Sequence, residues 1–142
     1  MSTDHRTRGD GPPGRSARSR RSDRSARALA RLLASAGAAH LVLPRPFDRT
    51  VPAWLPGSAR TWTTASGVVE LFLAAGLAAP CTRRVSGYAA AGFFAAVFPA
   101  NVKMAYDWRQ RPTPVRAAAY GRLPLQVPLV LWARHVARSA GR

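Results

Sequence analysis

Long apolar runs alternate with short polar clusters from Ala28 to the end of the chain, and the runs have the length of membrane-crossing helices. Val85 to Val102 is 18 residues without a charge, enough to cross the hydrocarbon layer as a helix. Thr61 to Thr82 is 22 residues interrupted only by Glu70. Ala28 to Pro44 carries Arg31 near its start, where a long side chain snorkels to the interface. Ala117 to Val136 is the weakest run: it holds Arg122, Pro124, Pro128 and Arg134, and its uncharged part, Leu123 to Ala133, is 11 residues. The pattern predicts an all-α protein, a four-transmembrane-helix bundle with helices over about 28–44, 62–80, 85–104 and 117–136. A soluble helical bundle is the competing reading. Against it, neither Val85–Val102 nor Val68–Ala79 shows a polar stripe wide enough to face water at helical period.

Residues 1–27 read differently. They hold eight Arg, three Asp, many Ser and Gly, and almost no large apolar side chain. Such a segment does not offset the entropy of ordering it, so it is expected to be a disordered basic cytoplasmic tail preceding a membrane domain over 28–138. Removal of residues 1–24 is accordingly expected to leave a bundle of similar stability. Arg- and Ser-rich starts also occur in transit peptides, and Ser19-Arg20-Arg21-Ser22-Asp23 superficially resembles a twin-arginine signal, but Asp23 stands where an apolar residue is required.

The formal charge of +16, from 22 Lys+Arg against 6 Asp+Glu, changes the picture less than its size suggests. Twenty-one of the basic residues are Arg beside 28 Ala, a composition typical of coding bias. No aromatic interleaving or folded reader accompanies them, so nucleic acid is not the expected partner. The charge is a topology signal. With the N-terminus cytoplasmic, the inner segments 1–27, 80–84 and 134–142 carry 13 basic residues and the outer segments 45–60 and 103–122 carry eight. The bias places both termini inside, in a bacterial cytoplasmic (inner) membrane. Trp54, Trp62, Trp108 and Trp132 lie near proposed span ends, as belt residues do.

Each proposed helix contributes a polar side chain: His40, Glu70, Asn101 and Gln126. On this topology all four fall in the outer half of the bilayer, with Glu70 roughly 10–13 Å deep at 1.5 Å per residue. Arg122, one turn before Gln126, is placed to supply a counter-charge for Glu70. An intramembrane carboxylate is costly and faces the bundle interior, paired or protonated. The group reads as interhelical packing glue, helped by small residues at Ser66, Gly67, Ala74, Gly87 and Ala91, with a bound quinone headgroup or a His40–Glu70 proton relay as the chemical alternatives. Pro99 is expected to bend the third helix beside Asn101 and free a carbonyl for a polar partner. Cys81, beside Arg83 and Arg84, reads as a loop residue rather than a reactive thiol. His5, His40 and His135 show no HxxxH or HxxE spacing, so neither a metal nor a haem is expected. No catalytic residue and no resident cofactor is expected.

Six short motifs recur together: Gly37…His40…Pro44…Phe47, Val51-Pro52…Leu55-Pro56, Ser66-Gly67-Val68…Glu70, Pro80…Thr82-Arg83-Arg84, Phe98-Pro99-Ala100-Asn101-Val102 and Arg122-Leu123-Pro124-Leu125-Gln126. In this order and spacing the chain resembles the DoxX-like family of small four-helix bacterial membrane proteins over about residues 28–138. The resemblance implies an architecture and leaves the chemistry open, since most such proteins have no assigned activity. Two function classes follow from it. One is a non-catalytic membrane module that recruits partner proteins, such as redox enzymes in sulfur or oxidative-stress metabolism, or binds a small ligand. The other is a membrane subunit of a quinone-linked oxidoreductase of the thiosulfate:quinone type.

Overall fold

Alanine and glycine make up much of what the long helices bury, with leucines and a few polar side chains between them. The computed structural model describes residues 13–140, with side chains from residue 17 onward. Its elements are α1 (Pro13–Val42), α2 (Pro44–Asp48), α3 (Ala59–Ala78), α4 (Arg83–Ala96), α5 (Phe98–Asp107) and α6 (Thr113–Ser139). In α3 the buried seam is Thr63, Gly67, Glu70, Ala74 and Leu77, a 4-3-4-3 spacing that keeps one face inward. In α6 it includes Ala119, Gln126 and Ala133, two full heptads. Four helices close a ring: α1 packs on α3, α3 on α4, α4 on α6, and α6 returns to α1.

The main core is alanine-rich. Ala26, Leu29, Ala30 and Leu33 of α1 meet Ala74 and Leu77, Ala90, Ala91 and Phe94, and Ala133 and Val136. A smaller cluster of Met104, Ala105 and Ala119, flanked by Trp108 and Leu123, lies between α5 and α6 at the opposite end. The polar residues of interest sit in the half of the ring nearer that second cluster.

Local chemistry sets the boundaries. The Ser58 side chain accepts from the Thr61 backbone N–H at 3.1 Å and caps α3. Pro44 opens α2 and Pro99 sits in the first turn of α5, where a missing N–H costs nothing. Pro124 and Pro128 lie inside α6, which continues through both. The α2–α3 loop is pinned by Arg60, whose Nε and Nη2 lie 2.9 and 2.8 Å from Asp48 Oδ2. That guanidinium holds the Asp48 carboxyl below the usual carboxylate range.

The expected disordered tail is corrected over its second half. Helix α1 begins at Pro13, and the stretch up to Arg27 belongs to it; residues 1–12 lie outside the described residues. Three contacts account for the difference. Ala26 is fully buried in the core, Asp23 pairs with Arg83, and Trp132 Nε1 donates to Ser25 Oγ at 2.8 Å. A count of large apolar residues misses all three, because one uses a methyl group and two use polar atoms. The helix expected over 85–104 starts at Arg83, breaks at Val97 and resumes as α5 to Asp107. Pro99 explains the break, since its ring excludes a donor from the ladder. Helix α2 was not expected, and α6 begins four residues before 117 and ends three beyond 136.

Among the described residues, two segments are long and apolar enough to cross a membrane, Ala59–Ala78 and Arg83–Asp107.

Candidate functional site: a divided polar interior

Buried polar side chains need partners, and five candidates were named from the sequence. The structure distributes them over three places. His40, in the last turn of α1, meets Glu70 of α3: Nδ1 lies 3.1 Å from Glu70 Oε2 and 2.8 Å from the Ala36 carbonyl. Two oxygen acceptors facing one nitrogen put the ring proton on Nδ1, which leaves Nε2 as the atom free for another partner. The Nδ1 proton is aligned on the Ala36 carbonyl, so buried Oε2 keeps an ion-pair distance but receives no aligned hydrogen bond. Phe47 of α2 stacks on the imidazole, ring centroids 4.0 Å apart. His40 reaches Glu70 because α1 and α3 approach closely at Gly37 and Gly67, where a Cβ built on Gly67 would stand 2.9 Å from His40 Cβ.

Asn101 and Gln126 form the second place. Asn101 Nδ2 donates to Gln126 Oε1 at 3.1 Å. Gln126 Nε2 in turn donates to the Phe94 carbonyl. That carbonyl belongs to the last turn of α4, just before the break at Val97, where helix carbonyls lose their intrahelical donors. The freed carbonyl expected near Pro99 is therefore present, and Gln126 is its partner. One side chain thus ties α6 to both halves of the broken third helix.

Arg122 occupies the third place. It does not pair with Glu70; among the described residues the basic side chain beside the carboxylate is His40. Arg122 is exposed and lines a cavity of about 250 Å³ together with Pro46, Phe47, Thr50, Met104 and Trp108. It still bears electrostatically on His40. Arg122 and Gln126 are one turn apart on α6, about 6 Å along its axis, and only Gln126 is buried in the ring.

Sequence reasoning missed the polar lock at the other end. Arg83 is buried; its Nε donates to the Leu77 carbonyl at 3.1 Å and its Nη1 lies 2.5 Å from Asp23 Oδ1. The side chain covers the C-terminus of α3, where carbonyls attract a cation. Nothing in the Arg83-Arg84 pair distinguishes the buried residue from its exposed neighbour. Phe47 was noticed only as part of a motif, and the Pro44-Arg45-Pro46-Phe47 run that forces a turn over His40 was its available signal. Cys81 is exposed in the α3–α4 turn. Of the small residues expected to pack, Gly67, Ala74, Gly87 and Ala91 are buried and Ser66 is half-buried.

A family model described as a domain of unknown function (DUF8561) matches residues 29–137, which take in the second half of α1 and the remaining helices up to the last two residues of α6. The chain belongs to that family. No curated protein and no solved structure matches it.

Proposed function

We propose that this member of the DUF8561 family is a four-span integral protein of a bacterial cytoplasmic membrane, DoxX-like in architecture, with both termini cytoplasmic. It acts as a non-catalytic module that recruits partner proteins or holds a small ligand at the His40 end. The observation that carries this reading is the inverted polarity of the ring. Phe72 is 75% exposed, Val85 72%, Val127 61% and Leu131 58%, whereas Glu70, Arg83 and Gln126 are 6–7% exposed. In water that arrangement is unfavourable on both counts, because apolar groups are hydrated and polar groups are not. In lipid it is the favourable one. Only 28% and 22% of the two candidate membrane-crossing windows are buried, which favours lipid-facing helices over the core helices of a water-soluble fold. Helix α1, at roughly 45 Å for its 30 residues, is longer than a ~30 Å hydrocarbon layer, so about its first third stands in the cytoplasm.

The topology has a direct check. A phosphatase fused after Arg142 is expected to be inactive and a fluorescent protein fused there bright. The reverse pattern would overturn the orientation.

The membrane subunit of a quinone-linked oxidoreductase is the second reading. The His40–Glu70 pair favours it, since the Ala36 carbonyl orients an imidazole that lies beside the carboxylate and leaves Nε2 available to hydrogen-bond a headgroup. Two substitutions separate the readings. If Glu70 serves packing, Glu70→Gln keeps shape and polarity and is nearly silent, as interhelical bonds of this kind average ~0.6 kcal/mol. Glu70→Leu removes the facing carboxylate but leaves His40 its bond to the Ala36 carbonyl, so its cost stays within about 1 kcal/mol. If the pair holds a quinone or moves a proton, Glu70→Gln abolishes quinone binding, or growth under sulfur or oxidative stress, at unchanged stability. Thermal unfolding in detergent, read beside the phenotype of a complemented deletion strain, decides between them.

A further inference from the structure

A second cavity, at the Arg83 end, opens on the outer surface between α1 and α3. It has a volume of about 350 Å³, and its floor is made of methyl groups: Ala30 and Ala34 from α1, Ala74 and Ala75 from α3. Leu71 closes it toward the bilayer centre and Ala78 stands at its rim, seven residues or roughly 10 Å along α3. Arg27 and Arg31, one turn apart on the same face of α1, stand over the slot. Both are exposed. Among the described residues no carboxylate pairs with either of them, for the nearby Asp23 is engaged by Arg83. Arg24 continues the row one turn further toward the cytoplasm. The slot is therefore apolar where the bilayer is apolar, and doubly cationic where headgroups begin.

We infer that this groove is a binding site for an anionic phospholipid, whose phosphate lies between the Arg27 and Arg31 guanidiniums and whose acyl chain lies along the alanine floor. The inference rests on the membrane reading above. Three features favour this occupant. Planar guanidinium forks match phosphate oxygens, two of them at one-turn spacing can grip a single phosphate, and basic pockets between helices at the cytoplasmic face select anionic lipid. The alanines leave an apolar trough with room for an acyl chain, whereas larger side chains in their place would fill it. A partner protein would have to present acid and a thin apolar ridge together, and a free phosphate would leave the floor unused.

The test is a titration of the detergent-purified full chain with phosphatidylglycerol, phosphatidylcholine and inorganic phosphate, counting bound molecules by native mass spectrometry. One phosphatidylglycerol is expected to stay bound under conditions that strip phosphatidylcholine, and inorganic phosphate is expected neither to bind nor to displace it. At about five-fold per basic residue near an anionic surface, Arg27→Gln/Arg31→Gln should weaken the site about 25-fold. Arg18→Gln/Arg21→Gln removes the same charge away from the groove and should leave affinity within about two-fold. Ala75→Leu keeps both arginines and fills the slot, and should lower affinity about ten-fold if the acyl chain lies there; Ala78→Leu, at the rim, serves if Ala75→Leu does not fold. Equal losses in the two arginine pairs would reduce the site to diffuse charge and overturn the proposal. So would phosphate displacing the lipid, or a lipid-free dimer that Ala75→Leu breaks. Fractionation of the same cells separates the two levels: membrane recovery without a selective lipid sinks this inference alone, and recovery in the aqueous fraction sinks the membrane reading with it.

Discussion

Asp23→Ala is expected to destabilise the protein by about 1–3 kcal/mol, although Asp23 precedes every apolar run in the chain. The residue it leaves behind decides the size. Arg83 has a side chain only 7% exposed, and its one carboxylate partner among the described residues is Asp23 at 2.5 Å. Breaking a fully buried pair from one side costs about 3–5 kcal/mol. Asp23 is 41% exposed, so solvent screens part of the interaction and the lower range applies. The opposite substitution is milder. Arg83→Met removes the buried charge and keeps the apolar stem, while Asp23 turns to water. The double variant Asp23→Ala/Arg83→Met is therefore expected to unfold closer to the wild type than Asp23→Ala alone. Thermal unfolding in one detergent gives the full cycle. Deleting residues 1–24 should reproduce the Asp23→Ala loss, contrary to the expectation from composition. If the truncated chain melts with the wild type, α1 does not dock through this end.

The second large effect lies on the α1–α3 seam. A Cβ at Gly37 would stand 2.7 Å from the Gly67 carbonyl oxygen, and one at Gly67 would stand 3.0 Å from the Gly37 oxygen. Both obstacles are backbone, so neither can rotate away, and the helices must separate. Gly67→Ala is expected to cost about 1–3 kcal/mol as an overpacked contact. It should also disturb the His40–Glu70 pair, since the new methyl meets His40 Cβ. Gly92→Ala provides the contrast. A Cβ there meets nothing within 4 Å, so the substitution should stabilise α4 by about 0.5–1 kcal/mol through helix propensity. Opposite signs for one chemical change would show that contact rather than propensity governs the seam. A stabilising Gly67→Ala would mean that α1 and α3 stand further apart.

Hydropathy and length were enough to read an all-helical chain with long helices in the right order. Those properties are local: a run of apolar residues bounded by proline and arginine prefers a helix whatever it packs against. The break beside Pro99 was legible for the same reason, because a missing N–H acts within one turn. The polar interior was legible only as a set of residue types. His40, Glu70, Asn101 and Gln126 do face inward, as polar atoms in an apolar run must, but which partners meet was not encoded in their spacing. Glu70 pairs with His40 because α1 and α3 approach at two glycines. Gln126 instead reaches the Phe94 carbonyl because α6 crosses the broken helix there.

Arg83 and Arg84 show where local information ends. They are neighbours of one type, carrying equal weight in any count of charge or hydropathy. A single 100° step around α4 buries the first against the Leu77 carbonyl and Asp23 and leaves the second exposed. The chain's composition and periodicity specify helices and the side each turns inward, because both follow from residues within a few turns. The rotation and height at which α1, sixty residues earlier in the chain, meets α4 depend on close packing summed over the whole ring, and those two quantities place every polar contact described above.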